Sequence, residues 1–133
     1  MGGVATHTRE SRLIRTSLKN RRFTERLSFA WSGLKSAWHS EASLRTHVLM
    51  TALLLVALVI LRPSLIWWAV SGLTAALVIA AELINTALEH LADHLHPEQH
   101  PRIKLVKDCA AAAVLVLSLA GLWLAVMMVW SVV

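Results

Sequence analysis

Three stretches of the chain, His47 to Leu61, Leu65 to Ile84 and Cys109 to Val133, are almost free of charge. A bilayer core takes roughly 20 residues of apolar helix, so the pattern predicts three spanning helices, over 43–62, 64–95 and 104–133. The first run is the shortest, and its helix draws on the polar residues Ser43 to Thr46 at the interface. A soluble bundle helix keeps a polar outer stripe, whereas Ala110 to Val133 offers only Ser118 and Ser131. Pro63 ends the first span, and Ser64 stands where a helix cap is expected. Helical character in the second span persists to Leu95, which at about 1.5 Å per residue gives near 46 Å, longer than the hydrocarbon core. Its last turns therefore project into the headgroup region, and Pro97 and Pro101 break the chain before the third helix.

Ahead of the spans the pattern changes twice. Residues 1–20 read as a mobile basic tail. From 21 to 40, Phe23, Leu27, Ala30, Trp31, Leu34 and Trp38 recur at helical spacing, with Arg22, Glu25, Arg26, Ser32, Lys35 and Ser36 largely opposite. An amphipathic helix of that kind, aromatic on one side and basic on the other, lies in a membrane interface. The expected fold is all-α and integral to the membrane, with three spans, an N-terminal surface helix and one domain over 1–133.

Composition agrees with this pattern, because 56% of the residues are hydrophobic, above the roughly 45–50% apolar share of soluble domains. Charge then fixes the expected orientation. Nine of the thirteen Lys and Arg residues lie at or before Arg45, only Arg62 lies between spans one and two, and Arg102, Lys104 and Lys107 lie between spans two and three. The positive-inside rule puts the N-terminus and the second loop in the cytoplasm. Trp67, Trp68, Trp123 and Trp130 then form an outer aromatic belt. The adjoining membrane surface accounts for the basic N-terminus, and no nucleic-acid partner is expected. No signal peptide is visible, and the opening Met1-Gly2 pattern meets only a short myristoylation template. The lone Cys109 rules out an intramolecular disulfide and any multi-cysteine metal site.

The chemistry lies at the end of the second span. Glu82, Asn85, Glu89 and Asp93 are spaced three, four and four apart, which places them on one narrow stripe of a helix. Acids beside hydrocarbon are costly unless paired, protonated or metal-bound, so they are functional candidates by default. Interhelical hydrogen-bonding glue is the structural alternative, and it suits a single Asn better than three acids in register. Glu41, at the start of span one, and Lys107-Asp108, at the start of span three, map to the same cytoplasmic level. Carboxylates from two helices can hold Mg²⁺ together with substrate phosphates. Lys107, Arg22 and the basic tail can neutralise phosphate charge, and a remaining carboxyl can take a proton from a lipid hydroxyl. The chain has no G-x-x-x-x-G-K-[ST] phosphate loop and no protein-kinase signature.

Two blocks carry a resemblance. Glu82-x-x-Asn85-Thr86-Ala87-Leu88-Glu89, followed by Asp93 and Lys107-Asp108, is similar to the signature of the prokaryotic diacylglycerol kinase family. Trp38-x-x-Glu41-Ala42-Ser43-Leu44-Arg45 resembles its earlier block. The resemblance covers roughly Arg22 to Leu117 and implies a homotrimer of three-span subunits that transfers the ATP γ-phosphate to a lipid alcohol. It implies Glu82 as catalytic base supported by Asn85, and Glu41 and Glu89 as the Mg²⁺ pair. It further implies nucleotide contacts at Arg22, Phe29, Glu41, Glu89, Glu98, Gln99, His100, Lys107 and Asp108. Lipid contacts fall on Arg22, on Arg26, Leu27, Ser28, Phe29, Ala30 and Trp31, and on Trp38 and Glu82. Phe29 stands where the family often has Tyr, and Ala110 to Ala113 has neither Gly nor Ser. Arg45-x-His47 and Glu98-Gln99-His100-Pro101 resemble the undecaprenol kinase branch.

The expected activity is phosphorylation of diacylglycerol to phosphatidic acid. The alternatives are an undecaprenol kinase of the same family and, from another class, a non-catalytic scaffold or ion-conducting bundle. His90, His94, His96 and His100 cluster at the cytoplasmic end, and the i, i+4 spacing of His90 and His94 is that of a transition-metal pair. Their simpler reading is as solvated interface residues.

Overall fold

The computed structural model describes residues 23–132 apart from 97 and 99. Among the described residues four helices follow one another: α1 (Phe23–Ser40), α2 (Ala42–Leu61), α3 (Leu65–Leu95) and α4 (Pro101–Trp130). The chain divides after Ser36 into two units. In the first, Phe23 to Ser36 is regular helix with Phe23, Leu27, Phe29 and Trp31 exposed.

The second unit holds the last turn of α1 and the three long helices. Glu41 adopts an extended backbone and interrupts the helix for a single residue, while its N–H still completes the ladder of α1 by donating to the Ala37 carbonyl at 2.9 Å. At the other end of α2, Arg62 takes the left-handed conformation, φ 47° and ψ 51°, and donates its N–H to Leu58 O at 3.0 Å. A left-handed residue followed by proline is a helix stop, since Pro63 has no N–H with which to continue. The short Arg62–Ser64 connection makes α2 and α3 antiparallel neighbours. α3 is the central helix and packs against both α2 and α4.

The three long helices have the length and apolar composition to cross a membrane. Leu44 and Leu58 on α2, Val78 and Ala92 on α3, and Val114 and Met128 on α4 are buried. Most other large apolar side chains, including Leu53, Ile60, Leu73, Leu115 and Leu119, are exposed. Such a surface is stable only under acyl chains or another protein, because exposing each of these side chains to water costs about 1.5–3 kcal/mol.

The helices differ in length, and the difference positions the site. α2 has 20 residues, α3 has 31 and α4 has 30. At about 1.5 Å per residue, α3 and α4 exceed α2 by roughly 15 Å. Because α2 and α3 start level at the tight turn, the excess lies at the C-terminal end of α3 and the N-terminal end of α4. These ends form a hairpin that extends past α2, and it carries most of the charge of the unit.

Candidate active site

The polar stripe of α3 runs from buried to exposed, one residue per turn. Glu82 is 1% exposed, Asn85 and Glu89 are half-buried, and Asp93 is exposed. Each member meets a partner. His47 of α2 brings Nε2 to 3.3 Å from Glu82 Oε1, within ion-pair reach but out of line for a hydrogen bond, so among the described residues Oε1 has no hydrogen-bond partner. Asn85 donates its side-chain amide to Glu89 Oε1 at 3.0 Å, and its own Oδ1 is buried without a partner among the described residues. One residue further on, His90 Nε2 lies 3.6 Å from Glu41 Oε1. Lys107 of α4 grips Asp93 with contacts of 2.9 and 3.1 Å to the two carboxylate oxygens.

These contacts follow from antiparallel packing. His47 with Glu82 and Glu41 with His90 belong to one register, in which a step toward the N-terminus of α2 matches a step toward the C-terminus of α3. His47 faces α3 because it lies on the inward stripe of α2, three residues after the fully buried Leu44 and on the same side as Leu58. Glu41 occupies the N-cap of α2 yet its side chain makes no capping bond. Its carboxylate instead meets α3 at His90. Just before α2, the Trp38 carbonyl accepts a 2.8 Å hydrogen bond from Arg45 Nη1, which ties the last turn of α1 to the first turn of α2.

Beyond the stripe, the hairpin encloses a cavity of about 510 Å³ lined by Asp93, His96, Glu98, His100, Pro101, Ile103, Lys104, Lys107 and Asp108. Its floor is the start of α4. His100 caps that helix by accepting the Arg102 N–H on Nδ1 at 3.2 Å, with Pro101 in the first turn, where no N–H is needed. Lys104 and Asp108 form an i, i+4 pair at 3.9 Å on the same wall. A cavity of this size, with cations and anions converging, suits a polar phosphorylated ligand. A larger cavity, about 680 Å³, lies at the far end of α4 against Ala125, Val126, Val129 and Trp130, with no titratable side chain among the described residues of its lining.

Of the residues singled out in the sequence, Glu41, Glu82, Asn85, Glu89, Glu98, His100, Lys107 and Asp108 all belong to this end of the second unit, as does Trp38. Arg26, Leu27, Ser28, Phe29, Ala30 and Trp31 lie on exposed turns of α1 in the first unit. Arg22 and Gln99 fall outside the described residues, as does the basic tail. In the sequence His47 stands out only as the start of an apolar run and within a resemblance, and His90 is paired there with His94 and not with Glu41. The available signal was a histidine within an apolar span, which is a functional candidate in its own right.

The donor chemistry fits a hard divalent cation. Among the described residues no group of three or more His, Cys, Asp or Glu side chains is placed to hold a metal. Mg²⁺ does not need one, since it commonly takes one or two carboxylates and completes its shell with water and phosphate oxygens. Glu41 and Glu89 offer two such carboxylates.

Several known proteins are similar to this chain. The profile of the prokaryotic diacylglycerol kinase family matches residues 28–130. A diacylglycerol kinase of Synechocystis sp. is 36% identical over 94 residues, which cover 70% of this chain and 54% of that protein. A diacylglycerol kinase of Helicobacter pylori is 32% identical over 96 residues, covering 72% of this chain and 75% of the relative. An undecaprenol kinase of Bacillus subtilis is 30% identical over 95 residues, covering 71% and 77%. The chain thus spans about half the length of the Synechocystis relative and about three quarters of the other two. With the matched region running from within α1 to the end of α4, and the acid stripe inside it, the chain belongs to the prokaryotic diacylglycerol kinase family.

Proposed function

We propose that this protein is an ATP- and Mg²⁺-dependent diacylglycerol kinase that forms phosphatidic acid at the cytoplasmic face of a bacterial inner membrane. The observation that carries the reading is Glu82, a carboxylate 1% exposed on a span, continued by a ladder of acids and cations leading out of the apolar layer. A lipid hydroxyl arrives from the membrane and a nucleotide from the water, and the stripe bridges the two environments.

In this reading the acceptor hydroxyl oxygen attacks the γ-phosphorus in line with the bond to the β-phosphate oxygen. That bond breaks, ADP leaves, and Glu82 takes the hydroxyl proton. Glu41 and Glu89 would hold Mg²⁺, which neutralises phosphate charge and orients the polyphosphate. Asn85 keeps the Glu89 carboxylate oriented through its 3.0 Å hydrogen bond. Lys107, Asp108, Glu98 and His100 line the cavity of the hairpin and act as the nucleotide pocket. The α1 segment from Arg26 to Trp31, with Trp38, holds the lipid at the interface. Three copies of the chain assemble through their exposed apolar faces.

A second reading, an undecaprenol kinase, is favoured by the Bacillus subtilis relative and by His47 of the Arg45-x-His47 pattern standing beside Glu82, where the acceptor hydroxyl must come. Both acceptors present the same hydroxyl and differ in the apolar body. Purified protein in mixed micelles, with γ-labelled ATP, Mg²⁺ and a panel of diacylglycerol, undecaprenol and monoacylglycerol, separates them. Labelled phosphatidate as the main product is expected. Label confined to undecaprenyl phosphate would transfer the assignment, and no labelled lipid at all would remove the kinase reading.

A further inference from the structure

Glu82 Oε1 is buried without a hydrogen-bond partner among the described residues, and leaving such a group uncompensated in an apolar layer is expensive. Its nearest titratable neighbour is His47, whose Nε2 stands 3.3 Å away from across the helix interface. From these two facts we infer that His47 is the positioning residue of Glu82: its Nε2–H donates to Oε1 and fixes the carboxylate, leaving the other oxygen to meet the acceptor hydroxyl. The inference rests on the proposed role of Glu82 as the base and adds the group that orients it.

Three features support the assignment. The histidine is held from its own side, because Leu44 one turn earlier is fully buried and fixes the face of α2 that meets α3. The side chain of His47 is 22% exposed against 2% for Glu82, so the imidazole is the link between the buried carboxylate and the solvated edge of the site. The nearest polar group along the stripe of α3 is committed elsewhere, since the Asn85 amide donates to Glu89, and Lys107 of α4 is held by Asp93. A small side-chain rotation aligns the 3.3 Å contact into a hydrogen bond without moving either helix.

A carboxylate held in one orientation is pre-organised for proton transfer, and that advantage is felt in turnover and not in substrate binding. The experiment compares His47→Phe, which keeps the ring volume and removes the donor, with His47→Gln, which restores an N–H donor. Both are assayed as full-length protein with the preferred acceptor from the lipid panel. His47→Phe is expected to lower kcat by about a hundredfold, the lower range for loss of effective general-base action, with the KM for ATP unchanged. His47→Gln is expected to recover turnover to within about tenfold of wild type. The melting temperature in detergent should match wild type for His47→Gln, which keeps the comparison informative if the Phe variant folds poorly. Near-wild-type kcat in His47→Phe, equal losses in the two variants, or a loss confined to KM would each overturn the inference. Glu82→Gln serves as the control: if it retains turnover the base assignment itself fails, whereas an inactive Glu82→Gln beside a fully active His47→Phe sinks only the role of His47.

Discussion

At the scale of single residues, the charges at this site have different local surroundings and therefore different consequences when removed. Lys107 holds Asp93 at the mouth of the hairpin cavity, so the lysine is positioned before any phosphate arrives. Lys107→Gln is expected to raise the KM for ATP by about tenfold, the worth of one charge-assisted hydrogen bond, with little change in melting temperature because the pair is largely exposed. Initial-rate kinetics over a range of ATP concentrations checks this; an unchanged KM would place the nucleotide elsewhere. The acids themselves were legible in the sequence, since Glu82, Asn85, Glu89 and Asp93 fall on one stripe whatever packs against it. Their partners were not. A stripe on α3 does not reveal which residue of α2 faces it, and α2 is apolar all round, so periodicity alone could not select His47.

At the scale of helices, packing is settled by a few small or fully enclosed positions. A Cβ added at Gly121 of α4 would sit 3.4 Å from the Thr74 methyl on α3, while one added at Gly72 meets nothing within 4 Å. Gly121→Val is therefore expected to force the α3–α4 pair apart and destabilise it by about 1–3 kcal/mol, whereas Gly72→Ala should be neutral or stabilising by up to about 1 kcal/mol. Leu44→Ala, at a side chain with no exposed surface, should cost about 2–5 kcal/mol and loosen the register that brings His47 to Glu82. Thermal melts in a single detergent order these variants, and a Gly121→Val protein as stable as wild type would contradict the close approach. The apolar runs were sufficient to predict three membrane-length helices, because charge-free stretches of that size have no other economical use. The boundary near Glu41 was legible, since the surface helix was expected to end at residue 40 and the first span to begin at 43, but nothing in Ser40-Glu41-Ala42 reveals that a single extended residue makes the break.

At the scale of the whole molecule, the proposal places the hairpin between α3 and α4 in the cytoplasm and the Arg62 turn outside. In a Cys109→Ser background, Glu98→Cys should react with an impermeant maleimide only in inside-out vesicles, and Arg62→Cys only in right-side-out ones. The reverse pattern would invert the orientation drawn from the basic residues. Assembly into three copies would cover part of the exposed apolar surface, and the mass of the detergent-solubilised particle tests it. The account as a whole depends on one carboxylate that the fold withdraws from water and that the chemistry needs ionised beside a lipid hydroxyl. Its most direct test is Glu82→Gln in the labelled-phosphate transfer assay, with ATP binding and melting temperature followed on the same preparation. The expected result is a loss of turnover of about a thousandfold with binding and stability retained; a variant that turns over normally, or that simply fails to fold, would contradict it.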